Sequence, residues 1–154
     1  MPTVCFVCLG NICRSPMAQA VLEHLLAERQ LNTAWSVDSA GTGSWHVGKS
    51  PDPRTLAVLT RNGITTRQRA RQVSIDDFHR FDWLLAMDDD NLANLQAMQP
   101  SDARAALHLL GDFDPDGRSE VPDPYYGGPQ GFDLVYAMVT RCCSAFLDQA
   151  TAEG

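Results

Sequence analysis

The segment VCLGNICRSP, residues 7–16, contains the side chains of this chain that are best suited to chemistry. Cys8 and Arg14 are separated by five residues, in the pattern C-x5-R. Cys8 ends an apolar run that predicts a buried strand, and the pair Ser15-Pro16 predicts the start of a helix. Backbone N–H groups in such a loop can converge on one anion, with the positive end of the helix dipole behind them. The guanidinium of Arg14 matches two phosphate oxygens, so we predict a phosphate-binding loop.

The thiol of Cys8 can act as a nucleophile at this predicted loop. Amide N–H groups and a helix dipole stabilise a thiolate, which is the reactive form of cysteine. A thiolate directed at a bound phosphate can attack phosphorus and form a covalent phosphocysteine. The bare C-x5-R pattern is common by chance, but its position after a strand and before a helix makes it a strong signal. Besides Cys8 and Arg14, the predicted loop contains Leu9, Gly10, Asn11, Ile12, Cys13 and Ser15.

Three residues of the predicted loop each allow two interpretations. Ser15 can donate a hydrogen bond to the thiolate, or it can cap the helix, or it can do both. Asn11 can hold a strained loop conformation with positive φ, or it can lie in an ordinary surface turn. Gly10 can keep Cβ atoms away from the anion, although any tight turn would also explain a glycine there. The sequence leaves these alternatives open.

Cys5 and Cys8 also form a C-x-x-C pair, which is typical of zinc sites and thioredoxin-like redox centres. On a strand, however, residues three apart point to opposite faces and lie roughly 10 Å apart, whereas a disulfide requires Cα atoms within about 7 Å. No second cluster of ligands accompanies the pair. The aspartates of residues 112–123 imitate a calcium-binding loop, but two prolines and a missing glutamate argue against calcium. We therefore predict that Cys5 packs in the core and that no metal is bound.

The composition limits the possible partners and the compartment. The net charge of −7 at pH 7 argues against nucleic acid or an anionic membrane surface as a partner. No segment is apolar over the length that a bilayer requires, so we expect no membrane insertion, and we see no signal peptide. Five cysteines without a framework spacing indicate a reducing compartment. We expect a cytoplasmic protein and favour a monomer.

Predicted strands alternate with predicted helices along the chain, which is typical of an α/β fold. The strands are expected at residues 3–8, 35–40, 82–87 and 106–111, and the helices at residues 16–29, 52–61, 88–98 and 132–150. We predict one domain over residues 1–154, with a Rossmann-like four-stranded parallel sheet flanked by helices on both faces. In such folds ligands bind beyond the carboxyl ends of the strands, where the C-x5-R loop begins.

Four motifs along the chain point to a known family. They are VCLGNICRSPMAQ at 7–19, SAGT at 39–42, WHVGKSPDPR at 45–54 and DPYYG at 123–127. In their order and spacing, and over almost the full length of the chain, they resemble the low-molecular-weight protein tyrosine phosphatases. The resemblance implies that phosphotyrosine and small aryl phosphates are hydrolysed in two steps, without a metal or any other cofactor.

The resemblance also assigns roles to three residues. Cys8 becomes the nucleophile, and Arg14 binds the equatorial oxygens of the phosphate. Asp123 becomes the general acid that protonates the leaving phenolate and then the general base that deprotonates the attacking water. Without the cysteine motif, Asp123 would be interpreted as a turn residue before a proline.

A supporting network beneath the loop is implied as well. Asn11, Ser15 and Ser39 match the residues of that network. Gln68 occupies a position where many members of the family have a histidine, and this departure puts the wiring of the network in doubt. The resemblance further implies a reversible disulfide between Cys8 and Cys13 that protects the nucleophile from over-oxidation. The alternative for Cys13 is a small side chain that simply packs inward.

The resemblance also predicts an aromatic substrate pocket. Trp45, Tyr125 and Tyr126 match its walls, although each of them alone could be a packing residue. A slot between rings would hold a flat phenyl ring with its phosphate at the bottom, and the shorter phosphoserine would not reach. A related branch that acts on phosphoarginine has threonine at the position of Ile12, so isoleucine favours phosphotyrosine. His46 is a weaker candidate for the border of this pocket.

Two other functions compete with a phosphatase. An arsenate reductase on the same fold would use Cys8 and Arg14 to bind arsenate, but it needs further cysteines near the third strand. Residues 76–98 contain none. A non-catalytic phosphotyrosine-binding module would need neither a nucleophile nor an acid. We therefore predict a cysteine-dependent phosphatase whose partner is a phosphotyrosine-containing protein.

Overall fold

Four strands form one sheet at the centre of the computed structural model, which describes residues 1–152. In chain order the elements are β1 (Thr3–Cys8), α1 (Arg14–Glu28), β2 (Ser36–Gly41), α2 (Pro53–Arg61), α3 (Asp77–Arg80), β3 (Trp83–Ala86), α4 (Asp89–Met98), β4 (Ala106–Leu109), a 3₁₀ helix (Leu110–Phe113) and α5 (Pro129–Ala152). The strands are all parallel, in the order β2-β1-β3-β4. The predicted α/β class and four-stranded parallel sheet are therefore confirmed.

The central strand β1 separates two apolar cores, because successive side chains point to opposite faces of a sheet. Val4, Phe6 and Cys8 belong to the core that includes side chains of α1 and α5. Cys5 and Val7 belong to the other core, which includes side chains of α3 and α4. All five side chains are buried. Cys5 thus packs in the core, as predicted, whereas Cys8 lies at the carboxyl end of the strand.

The first helix begins earlier than predicted. α1 starts at Arg14, two residues before the expected Pro16, and Cys13 occupies the N-cap position without a capping hydrogen bond from its side chain. Ser15 consequently lies inside the first turn of α1, and the interpretation of this residue as a helix cap is wrong. Its hydroxyl group is therefore available for other contacts.

Two other helices begin at capping carboxylates that border the same edge of the sheet. Asp52 accepts a hydrogen bond from the backbone N–H of Arg54 at 2.8 Å, and Pro53 takes the first position of α2, where a missing N–H costs nothing. Asp88 accepts a hydrogen bond from the backbone N–H of Asn91 at 2.8 Å and caps α4. A capping aspartate thus satisfies a backbone N–H that has no partner within the helix.

Several boundaries differ from the predicted ones. The short helix α3 was not expected, because four residues are too few to present a helical period. α5 begins at Pro129 instead of residue 132, and the predicted fourth strand ends at Leu109, where the 3₁₀ helix begins. Within residues 1–152, no helix has the length and the apolar character that crossing a membrane requires.

Candidate active site

The phosphate loop, which we define as residues 8–14, connects β1 to α1 and bends around the sulfur of Cys8. Asn11 has a positive φ of 56°, a conformation that asparagine tolerates better than most residues. Its backbone N–H donates to Cys8 Sγ at 3.3 Å. Ser15 Oγ lies 3.0 Å from the same sulfur. Two hydrogen-bond donors can thus converge on this sulfur, an arrangement that stabilises a thiolate.

The side chain of Asn11 determines where the hydrogens of this cluster point. Its Nδ2 group donates to Ser15 Oγ at 2.7 Å and to Ser39 Oγ at 3.0 Å. Its Oδ1 atom accepts from the backbone N–H of Arg71 at 3.0 Å. Because Ser15 Oγ accepts a hydrogen bond from Asn11, its own hydrogen can point at Cys8 Sγ at 3.0 Å, which is nearer than its other acceptor, the backbone oxygen of Ala40, at 3.5 Å. The structure brings together the predicted network residues and favours the loop interpretation of Asn11 over a surface turn.

Two glutamines extend the network. Ser39 Oγ donates to Gln19 Oε1 at 2.6 Å. Gln68 Nε2 donates to the backbone oxygen of Ser39 at 3.1 Å and to Asp38 Oδ1 at 3.3 Å. Gln68 therefore supports the strand that carries Ser39, while Gln19 holds the hydroxyl group. Gln19 was missed from the sequence, although its spacing of four residues from Ser15 places both side chains on one face of α1.

Arg14 is 2% exposed and is held by more partners than expected. Its Nη1 atom donates to Asp88 Oδ2 at 2.6 Å and to the backbone oxygen of Val121 at 3.0 Å, and its Nη2 atom lies 3.6 Å from Asp123 Oδ2. Burial alone would lower the pKa of Arg14, but the nearby Cys8, Asp88 and Asp123 more than offset it, so the pKa is raised. The guanidinium is thus a permanent and oriented cation. The sequence did not reveal this contact between Arg14 and Asp88.

Asp123 lies in the acid loop, which we define as residues 114–128, between the 3₁₀ helix and α5. Its Oδ1 atom accepts a hydrogen bond from the backbone N–H of Tyr125 at 3.0 Å. Its side chain is 37% exposed, in contrast to the buried Arg14 beside it. A carboxyl group in this position can approach both a leaving group and a water molecule.

A cavity of about 400 Å³ opens above the phosphate loop. It is lined by Cys8, Leu9, Gly10, Ile12, Cys13, Arg14, Trp45, His46, Asp123, Tyr125 and Tyr126. Every predicted catalytic and pocket residue is on this lining, and so is the weaker candidate His46. Asn11, Ser15 and Ser39 lie beneath the loop and are not part of the lining. The rings of Tyr125 and Tyr126 meet edge to face with centroids 5.0 Å apart.

Two glycines are explained by close approach to the phosphate loop. A Cβ atom at Gly41 would lie 2.8 Å from the backbone oxygen of Leu9, closer than van der Waals contact permits. A Cβ atom at Gly10 would lie 3.0 Å from His46 Cδ2. Gly10 therefore leaves room for the imidazole at the rim of the cavity. Gly41 lets β2 pack directly against the loop, a role that the sequence did not reveal.

All five cysteines, which lie within residues 1–152, are free thiols. Burial, together with the nearby Asp52, Cys8 and Asp123, raises the pKa of Cys13 to about 12. Among the residues that the structure describes, no group of three or more histidine, cysteine or acidic side chains is arranged to hold a metal ion.

Comparison with known proteins identifies the family. The family model for low molecular weight phosphotyrosine protein phosphatase matches residues 3–154. The low molecular weight phosphotyrosine protein phosphatase of Schizosaccharomyces pombe is 48% identical over 146 residues, which cover 94% of each chain.

Two solved structures are similar over nearly the whole chain. The protein tyrosine phosphatase of Entamoeba histolytica with Hepes in its active site has a TM-score of 0.95 at 36% identity, covering 99% of both chains. The Drosophila arginine phosphatase has a TM-score of 0.90 at 38% identity, covering 96% of both chains. With a matching family model, a relative of nearly half identical sequence and the same fold, the chain belongs to the low molecular weight phosphotyrosine protein phosphatases, a family of hydrolases.

Proposed function

We propose that this phosphatase hydrolyses phosphotyrosine and small aryl phosphates through a phosphocysteine on Cys8. The proposal rests mainly on the arrangement of three side chains around one cavity. The sulfur of Cys8 lies at the floor of the cavity with two possible hydrogen-bond donors, and Arg14 and Asp123 line the same cavity. An anion, a nucleophile and a proton donor can therefore meet at one place.

In the first step the phosphate dianion binds the loop amides and the guanidinium of Arg14. The thiolate of Cys8 attacks phosphorus, the bond between phosphorus and the phenolic oxygen breaks, and Asp123 gives its proton to the leaving oxygen. The Ser15 hydroxyl supports the sulfur as a thiolate through the contact at 3.0 Å. Protonation matters because a phenolate is a poor leaving group at neutral pH.

In the second step the Asp123 carboxylate takes a proton from water. The water oxygen attacks phosphorus and the bond between phosphorus and sulfur breaks, which releases inorganic phosphate and regenerates the thiolate. The 37% exposure of the Asp123 side chain supports this role, because water can reach the carboxylate. None of these proton transfers calls for a metal or another cofactor.

The pocket supports phosphotyrosine in a protein as the substrate. The exposed rings of Trp45 and Tyr126 and the partly exposed ring of Tyr125 stand around the cavity and can flank a phenyl ring. Ile12 adds an apolar contact on the loop side. A substrate side chain must span the depth of this slot before its phosphate reaches Cys8, which favours phosphotyrosine over phosphoserine.

The test of the proposed substrate is hydrolysis of matched peptides that contain phosphotyrosine, phosphoserine or phosphoarginine. We expect the kcat/KM for release of phosphate to be at least about 100-fold higher with the phosphotyrosine peptide than with the other two. A substrate that fills the pocket poorly loses about 1–3 kcal/mol of transition-state binding energy for each missing apolar group. The phosphoarginine peptide is an informative comparison, because one similar structure is that of an arginine phosphatase. Equal or faster hydrolysis of phosphoarginine would reject the assigned specificity.

We also propose that Cys13 protects the nucleophile. A peroxide converts the Cys8 thiolate to a sulfenic acid, and the Cys13 thiol then displaces water to form a disulfide, which a dithiol reductant converts back to the two thiols. The raised pKa of Cys13, about 12, keeps its thiol protonated, so the oxidant reacts first at Cys8. After peroxide and then dithiothreitol, wild type should recover more activity than Cys13→Ser. Equal recovery of activity in both proteins would contradict a protective role of Cys13.

We further infer that the protein is a cytoplasmic monomer. The state of the cysteines supports the proposed compartment. Five cysteines, an odd number, are all free within residues 1–152, as expected in a reducing compartment. Gel filtration with light scattering measures the oligomeric state, and a dimer mass at micromolar concentration would contradict the monomer.

A further inference from the structure

The acid loop is anchored on both sides of Asp123. Upstream, the backbone N–H of the buried Val121 donates to the backbone oxygen of Met87 at 2.8 Å, and Arg14 donates to the backbone oxygen of Val121 at 3.0 Å. These contacts attach the loop to the end of β3 and to the phosphate loop. They lie two residues before Asp123, and they leave the downstream side to be held by something else.

Arg54 provides the downstream anchor. Its Nη2 atom donates to the backbone oxygen of Tyr125 at 3.1 Å, and its Nη1 atom donates to the backbone oxygen of Gly127 at 3.3 Å. Tyr125 lies two residues after Asp123, and its backbone N–H donates to Asp123 Oδ1 at 3.0 Å. A single guanidinium therefore fixes the residue whose backbone holds the acid.

Arg54 is itself fixed relative to the phosphate loop by the carboxylate of Asp52. Its Nε atom donates to Asp52 Oδ1 and its Nη2 atom to Asp52 Oδ2, each at 3.0 Å, which is the two-pronged geometry typical of strong arginine–carboxylate pairs. Asp52 is buried, and its backbone N–H donates to the backbone oxygen of Ile12 at 2.8 Å. A continuous path of hydrogen bonds thus runs from the acid loop to the phosphate loop.

The flat face of the same guanidinium packs on aromatic rings. Its central carbon lies 4.4 Å from the centroid of the buried Phe132, on α5, and 5.6 Å from the centroid of Tyr125. Both distances are within the range of cation–π contacts. The guanidinium thereby supports the Tyr125 ring, which lines the cavity, as well as the Tyr125 backbone.

From these contacts we propose that Arg54 is a positioning residue that sets the place of the general acid Asp123 relative to Cys8. The inference rests on the proposed function. Proton transfer to a leaving oxygen requires hydrogen-bond distance, and a displacement of about 1 Å can cost about 100-fold in rate. Loss of Arg54 frees the loop downstream of Asp123, while the upstream anchor at Val121 and the phosphate loop remain.

The test separates positioning of the acid from general stabilisation. kcat/KM is measured for aryl phosphates whose leaving phenols differ in acidity, because it reports the steps up to formation of the phosphocysteine. For Arg54→Ala we expect a decrease of about 10-fold to 100-fold with poor leaving groups and less than about 3-fold with the most acidic phenol. The inhibition constant of inorganic phosphate should change by less than about 3-fold, since the phosphate loop is intact.

Arg61→Ala is the matched control. Arg61 is another arginine of α2, and it pairs with Asp133 on α5 at 2.7 Å, with both side chains largely exposed. It joins the same two helices as Arg54 without contact to the acid loop, so its leaving-group dependence should follow wild type. Arg54→Lys keeps a cation but not the two-pronged pair with Asp52, and it should lie between wild type and Arg54→Ala.

Two results would overturn the inference. One is an equal decrease in kcat/KM for all leaving groups in Arg54→Ala, and the other is a kcat/KM equal to that of wild type for every leaving group. If Arg54→Ala does not fold, as judged by its urea midpoint, the same series on Arg54→Lys and Asp52→Asn decides the question. If wild type hydrolyses no aryl phosphate, the proposed function itself fails, and this outcome is distinct from a wild-type slope in the variant.

Discussion

In the proposed mechanism the phosphate loop and the acid loop carry the two halves of one reaction, yet they are built in opposite ways. In the phosphate loop Asn11 and the adjoining Ser15 are buried, and the side chain of Asn11 makes three hydrogen bonds. In the acid loop Asp123 is 37% exposed and makes one hydrogen bond of its own, to the backbone of Tyr125, among the residues described.

The difference reflects what each group must do. A thiolate and an anion site work only if their donors are already oriented, because reorientation during the reaction would raise the barrier. In the proposed mechanism the acid Asp123 has to meet a leaving group and then a water molecule, so it must stay accessible. Its loop is therefore fixed at flanking backbone positions, by contacts of Val121 and Arg54, and its side chain is left open.

The largest effect is expected where the rigid loop holds the nucleophile. Cys8→Ser should lower kcat by at least about 10⁴-fold, since a hydroxyl group is not ionised there. Inorganic phosphate should still bind, because the amides and Arg14 remain. Turnover is measured with a phosphotyrosine peptide and binding by calorimetry. A Cys8→Ser enzyme with substantial turnover would contradict a covalent mechanism.

The open loop should respond differently. Asp123→Ala is expected to reduce kcat/KM by about 10² to 10³-fold for poor leaving groups and much less for acidic phenols. The measurement is the slope of log kcat/KM against leaving-group acidity, with Glu120→Ala, an acid-loop carboxylate that does not line the cavity, as the control. A uniform decrease across the series would argue that Asp123 supports structure instead of donating a proton.

Loosening the rigid loop should slow every substrate alike. Asn11→Gly keeps the positive φ but removes three side-chain hydrogen bonds. It should lower kcat/KM by about 10-fold to 100-fold at all leaving groups, given about 1–3 kcal/mol for buried partners left unpaired. Asn94→Ala, at an exposed position of α4, is the control. A decrease in kcat/KM confined to poor leaving groups would contradict the proposed difference between the two loops.

The smallest effect on activity is expected at the start of the acid loop. The pKa of Asp114 is held below its usual range by hydrogen bonds from Arg141 on α5, helped by the backbone N–H of Asp116 and by Ser119. Because the folded-state pKa is depressed, this stabilisation is present above the unfolded value of about 3.9 and is lost as the pH falls through the folded one.

Asp114→Asn should therefore lower the urea midpoint at pH 7, and the difference from wild type should shrink below about pH 4. kcat/KM at pH 7 should hardly change, because the anchor at Val121 lies between Asp114 and Asp123. Equilibrium unfolding at pH 7 and pH 3 measures the difference. A difference in urea midpoint between Asp114→Asn and wild type that grows toward low pH would contradict a depressed pKa of Asp114.

Local patterns in the sequence were enough to predict most of what depends on neighbours along the chain, although the short helix α3 and the start of α1 at Arg14 were not predicted. The C-x5-R spacing placed Cys8 and Arg14 around one loop, and the period of apolar residues predicted the four strands and the longer helices. The motif DPYYG identified Asp123 as the acid candidate by resemblance. Each of these inferences needs only a short segment, because a strand end, a tight loop and a helix start are set by short-range sterics and hydrogen bonds.

The distant groups that complete the site could be identified only in the folded chain. Asp88 reaches Arg14, the backbone of Arg71 reaches Asn11, and Arg54 reaches Tyr125 across separations of 74, 60 and 71 residues. These contacts depend on β1 lying between β2 and β3, which brings the carboxyl ends of three strands to one edge of the sheet. A polar residue that pairs across such distances shows no period in the sequence, so its partner becomes known only when the sheet is assembled.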